Sequence, residues 1–124
     1  MQSNPETVVK EFCNAWARLD LGAVMGFFAE DAVYHNIPMK PATGKDAIGK
    51  VIEGLLKGVK SIDFKIVHSA AHGNVVMNER VDSFDAGGKH ISLPVMGVFE
   101  IDSHGKIKAW RDYFDLEMYM KQLR

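Results

Sequence analysis

A single cysteine, Cys13, stands among the 124 residues, so no disulfide can close within the chain and no second cysteine completes a metal-binding pattern. It falls among apolar residues of an expected helix, where it reads as core filling. No apolar run approaches the roughly 20 residues that a membrane-spanning helix needs. The opening Met1-Gln2-Ser3-Asn4-Pro5 lacks the basic-then-apolar order of a secretory leader, which makes the expected location cytoplasmic. Net charge is nearly absent as well, at −1, and Lys and Arg are scattered. The basic footprint that nucleic acid or an anionic membrane requires is missing, so a small neutral partner is expected. Gly-x-Ser-x-Gly and a phosphate-cradling glycine loop are both absent. The five histidines, His35, His68, His72, His90 and His104, form no close ligand grouping, so no metal is expected. Without repeats or linkers, residues 1–124 read as one domain with one site.

What is present is first a helix signal. Asn4-Pro5-Glu6 starts a helix whose apolar stripe, Val8, Val9, Phe12, Trp16 and Leu19, runs to about Asp20. A second helix is expected through Val24, Phe27 and Phe28, closed by Glu30-Asp31, and a third over Gly44 to Val59. Ala32 to Asn36 has strand character, and the two prolines of Ile37 to Pro41 make that stretch a loop. Beyond Val59 the period changes to two. Strands are expected around Ile62, Phe64 and Ile66, over Asn74 to Phe84, over His90 to Ile101 and over Lys106 to Asp115. Asp85-Ala86-Gly87-Gly88 marks a hairpin, and Asp115 caps a terminal helix. Helices followed by a strand meander predict an α+β domain, a curved and mostly antiparallel sheet roofed by the helices. A pocket between those layers is the place for a site.

Polar residues two apart on the expected strands are the candidates for that site. Asn78, Arg80, Asp82 and Phe84 share one strand face, while Met77, Glu79, Val81 and Ser83 share the other. Alternation does not say which face is inward, and a solvated Arg80–Asp82 pair is the plain structural reading. Asp112 sits between Trp110 and Phe114, which seek the interior, and a carboxylate there is costly unless paired or protonated. A structural hydrogen bond would satisfy it equally well. Tyr34 and Asn36 share a face too, either as a core tyrosine with a loop-starting asparagine or as a water-holding pair.

The segments Tyr34-His35-Asn36, Asn78-Glu79-Arg80-Val81-Asp82, Gly97-Val98-Phe99 and Trp110 to Asp115 resemble the limonene-1,2-epoxide hydrolase family. That family lies within the larger group sharing the cone-shaped fold of nuclear transport factor 2 and ketosteroid isomerase. The resemblance implies that Asp112 is the base activating water, that Tyr34 and Asn36 hold that water, that Asp82 protonates the epoxide oxygen and that Arg80 links the two aspartates. It also implies a homodimer, no cofactor, and a small lipophilic epoxide with water as substrates. His35 points to the opposite strand face and is expected to matter little. The first helix begins almost at residue 1, whereas the limonene enzyme of the family carries an added N-terminal segment near its pocket. The resemblance therefore leaves pocket shape, and with it substrate choice, open. Two rivals stand beside this reading: an enzyme resembling ketosteroid isomerase or a polyketide cyclase, which would need an oxyanion donor, and a non-catalytic apolar-ligand module.

Overall fold

The computed structural model describes residues 4–124, so Met1–Ser3, part of the stretch read above for a leader, lies outside the described residues. Asn4 caps helix α1 (Pro5–Ala15), its side-chain oxygen accepting the amides of Glu6 at 2.8 Å and Thr7 at 3.4 Å. Val8, Val9, Phe12 and Cys13 recur on one face and are buried. The α-helix stops short of the expected Asp20. It tightens into a 3-10 turn at Trp16–Arg18 and ends on Leu19, at a left-handed φ of 53°. Asp20 then caps α2 (Leu21–Met25), accepting the Ala23 amide at 3.1 Å.

The expected reach of α2 through Phe28 is corrected by the structure, because Phe28 opens strand β1 (Phe28–Asn36) and Glu30 and Asp31 lie inside that strand. Gly22 and Gly26 weaken the helix. Pairing wins: Phe28 is the register partner of Ile107, whose amide donates to the Phe27 carbonyl at 2.8 Å. After the proline loop a short strand, β2 (Ala42–Thr43), pairs with Val33 and Tyr34, an element the sequence pattern does not signal. Helix α3 (Lys45–Leu56) is shorter than expected, because Gly58, at φ 77°, turns the chain out of it and Val59 joins the sheet.

Strands β3 (Val59–His72), β4 (Val75–Ala86) and β5 (Lys89–Ile101) form the meander, followed by β6 (Ile107–Tyr113) and helix α4 (Leu116–Leu123). Gly87 and Gly88 carry φ of 58° and 79°, as a two-residue primed hairpin turn requires. The sheet order is β2-β1-β6-β5-β4-β3, antiparallel except for the β1–β6 pair, with register shifts in three of its ladders where bulges bend it. This is the expected α+β architecture, a curved sheet with helices packed on its inner face. Phe12 is the hub of the core: Trp16, Phe27, Phe28, Phe99 and Trp110 all pack edge-on against it, with centroids 5.0 to 6.1 Å away. Among the described residues no helix is long and apolar enough to cross a membrane.

Candidate active site

Cross-strand partners project from the same face of a sheet, so register assembles the site. Asn36, Asp112, Gly97 and Asn78 are successive partners across β1, β6, β5 and β4, and Tyr34, Trp110, Phe99 and Val76 form the adjoining row. Arg80 and Asp82 continue from Asn78 along β4. Their face is the inner one: Arg80 is 0% and Asp82 8% exposed, whereas Met77 looks outward. The solvated-pair reading of Arg80 and Asp82 is thereby excluded.

Arg80 joins the two aspartates. Its Nε and Nη2 donate to the two oxygens of Asp82, each at 2.9 Å, and Nη2 also donates to Asp112 Oδ2 at 2.8 Å. Nη1 donates to Asn78 Oδ1 at 2.9 Å, and the Trp110 indole N–H reaches Asp112 Oδ1 at 2.7 Å. The rings of Phe64 and Phe99 flank the guanidinium at 5.1 and 6.0 Å. Tyr34 is buried and stacked on Trp110, with centroids 4.2 Å apart, and its hydroxyl donates to Asn36 Oδ1 at 3.2 Å. His35 turns to the Met39 carbonyl instead, at 2.8 Å. All five sequence-derived candidates therefore gather in one place.

Two further residues complete the arrangement. Asn78 fixes the far end of the guanidinium and donates weakly to the Cys13 sulfur at 3.8 Å. Gly97 leaves the space that Arg80 occupies, since a Cβ there would lie 2.3 Å from Nη1 and 2.9 Å from Asp112 Oδ1. The signal for Gly97 was its place inside a strand, where glycine often marks a close approach. Nothing local in the sequence names the partner it admits.

Burial sets the proton count. It pushes the Asp82 carboxyl up to about 6 against the opposing pull of Arg80, and it raises Asp112 too. Burial also opposes the charge on Arg80, yet Asp112 and Asp82 outweigh it and hold the guanidinium above its usual range. With one proton shared by the carboxyls the trio is neutral, which is the state that a desolvated setting favours. Tyr34 is driven up by burial and then by Asp112, so its hydroxyl stays protonated. The Cys13 thiol, pushed up to about 12 by burial, is inert filler.

Asp82, Asp112, Tyr34 and Asn36 face a pocket of about 110 Å3 whose other walls are mainly apolar. Trp16 from the 3-10 turn after α1, Leu55 from α3 and Tyr119 from α4 contribute to those walls. Sequence periodicity placed Trp16 only in the apolar stripe of the first helix, because a pocket wall carries the same apolar pattern as a core. Among the described residues no three His, Cys, Asp or Glu side chains group as metal ligands.

Sheet order, helix placement and a polar cluster on the inner face define the nuclear-transport-factor-2 class of fold. A solved NTF2-like protein of unknown function from Burkholderia pseudomallei K96243 superposes with a TM-score of 0.85 at 19% identity, covering 98% of both chains. That likeness is one of fold. Residues 3–124 match the model of the limonene-1,2-epoxide hydrolase catalytic domain. The chain is also 31% identical over 132 residues to Epoxide hydrolase EphG of Mycobacterium tuberculosis, covering 99% of this chain and 87% of that protein. A solved M. tuberculosis LEH-like epoxide hydrolase has a TM-score of 0.84 at 31% identity, with 96% of this chain and 88% of the other covered. The chain belongs to the limonene-1,2-epoxide hydrolase family, a family of epoxide hydrolases.

Proposed function

We propose that this enzyme adds water to a small lipophilic epoxide to give a vicinal diol, in one step and without an ester to the protein. The observation that carries the reading is Arg80 in contact with both buried carboxyls, at 2.9 and 2.8 Å, beside an apolar pocket. Epoxide opening needs a nucleophile at carbon and a proton at the departing oxygen. Two carboxyls sharing one proton next to a guanidinium supply both at a single pH.

Asp112 is the base in this scheme, because its register partner is Asn36 and the adjoining partner pair is Tyr34 and Trp110. In this scheme a water held by Tyr34 and Asn36 gives its proton to that carboxylate. As the water oxygen bonds to the ring carbon, its proton passes to Asp112, the C–O bond breaks, and the Asp82 proton goes to the leaving oxygen. One proton remains on the pair, now on Asp112, and its return to Asp82 resets the site. Arg80 stabilises whichever carboxylate is charged. At an effective dielectric of about 20 a contact of about 4 Å is worth about 4 kcal/mol, comparable with the repulsion it offsets. No cofactor enters this scheme.

The carbonyl-isomerase alternative would take the protonated Asp82 as its oxyanion donor, and incubation with a carbonyl substrate separates it from epoxide opening. The non-catalytic apolar-ligand module would use the same pocket, and binding without turnover across a varied epoxide panel would favour it. A single turnover in heavy-oxygen water tests the scheme. Label is expected in the first diol formed; an unlabelled diol whose oxygen traces to an aspartate would reject direct attack by water.

A further inference from the structure

We propose that Trp16 is the specificity-determining residue of this pocket, a rigid wall on the helix side that restricts the enzyme to compact epoxides. The proposal rests on the reading that this pocket opens epoxides, and it concerns which ones.

Trp16 lines the pocket although the residue itself is only 1% exposed, so the cavity ends against its ring. The indole stacks on Phe64, with centroids 4.8 Å apart and planes 29° from parallel. Phe64 in turn lies against the Arg80 guanidinium. Behind the indole stand Phe12 and Trp110, both fully buried, at 6.1 and 5.9 Å. A ring backed by rings in a close-packed core has nowhere to withdraw when a larger ligand presses on it. The roof offers a contrast: Met39 and Leu55 are exposed at their tips and free to adjust.

The indole nitrogen adds the second observation. Trp16 Nε1 is buried and has no hydrogen-bond partner among the described residues. No protein group among the described residues holds the indole through that N–H, so ring packing alone sets its position. What Trp16 supplies is bulk. At about 110 Å3 the pocket is well below the roughly 300 to 1,000 Å3 typical of drug-sized ligands, and the indole helps to hold it there.

The test compares kcat/KM for cyclohexene oxide and trans-stilbene oxide in the wild type and in Trp16→Phe, Trp16→Met and Trp16→Leu, with circular dichroism to verify folding. The ratio of bulky to small substrate is read rather than absolute rate, because loss of stability alone lowers both rates together. Each methylene-sized change in pocket space is worth about tenfold or more in discrimination, so Trp16→Leu should raise the ratio by at least about tenfold. Trp16→Phe, which removes the pyrrole ring with its N–H but keeps a six-membered ring, should raise the ratio by less than Trp16→Leu does. Trp16→Met, close to leucine in volume, should raise the ratio to an extent similar to Trp16→Leu, and it carries the comparison should Trp16→Leu not fold. An unchanged ratio in a folded Trp16→Leu overturns the proposal. So does a folded Trp16→Phe whose ratio rises as far as that of Trp16→Leu, because the effect would then not follow the bulk removed. Calorimetric binding of the two corresponding diols repeats the comparison without turnover. Failure of wild type to hydrolyse either epoxide would thus count against the reaction, while the diol affinities still decide the role of Trp16.

Discussion

A Cβ at position 97 would stand 2.3 Å from Arg80 Nη1 and 2.9 Å from both Asn78 Oδ1 and Asp112 Oδ1, closer than real carbon contacts come. Arginine can bridge two strands here only because the strand between them presents no side chain. Gly97→Ala should displace the guanidinium and lower kcat/KM by about a hundredfold, the scale of a misplacement of about 1 Å in a catalytic group. Steady-state kinetics on a variant shown by circular dichroism to be folded checks this. Protonation gives the second prediction at this scale. Asp82 must carry a proton to serve as acid, and burial lifts its carboxyl to about 6, so the group is protonated below that value and loses its proton above it. The kcat/KM should therefore fall as pH rises through about 6, a limb that belongs to the coupled carboxyls together. Asp82→Asn and Asp112→Asn should each lower kcat by about 10² to 10⁴ with the fold retained. A folded Asp112→Asn enzyme at near wild-type rate would eliminate the proposed base.

Helix α4 shows how an element with little buried surface is held over the pocket. None of its residues is fully buried, yet Tyr119 lines the pocket and packs against Phe84 and Phe114. The anchor is Gln122. Its amide oxygen accepts the Ser92 backbone N–H and its amide nitrogen donates to the Ser92 carbonyl, both at 2.8 Å. Strand β5 pairs with β6 only from Met96 onward, so Gln122 bonds the edge of β5 where β6 is missing. Asp115 caps the helix at the Met118 amide, 3.0 Å away, and Lys89 donates to the Leu123 carbonyl. Each such hydrogen bond contributes about 1 kcal/mol net, so Gln122→Ala should speed amide exchange across residues 116–123 by about tenfold or more. It should also raise KM more than it lowers kcat. Unchanged exchange would show that apolar contacts alone hold the helix.

The outer face of the sheet carries the prediction at the scale of the whole molecule. Met77, Met96 and Tyr113 are exposed there, with Met96 and Tyr113 direct cross-strand partners on the face opposite the active site. A partner seated on this face would remove their apolar surface from water. We propose that a second copy covers this face, in line with the homodimer that the family resemblance implies. Met96→Asp should convert the dimer to monomer in sedimentation analysis. A wild type that sediments as a monomer would refute the assignment.

Strict period two is a property of any strand, so the sequence by itself determined that Asn78, Arg80 and Asp82 share a face and that Asp112 lies among aromatics. Glycine's freedom at positive φ likewise made the Gly87-Gly88 hairpin legible. Only the tertiary structure decided which face turned inward and that Arg80 reaches Asp112 across 32 positions of sequence. The same is true of the early end of α2, which local helix pattern carried too far and pairing with β6 cut short. Gly97 and Trp16 take their meaning from neighbours on other strands and helices, Arg80 for one and Phe64 for the other. Local propensities are worth tenths of a kcal/mol per residue, whereas burying one large side chain is worth about 1.5 to 3. Contacts between segments distant in sequence therefore settled what local pattern had left open.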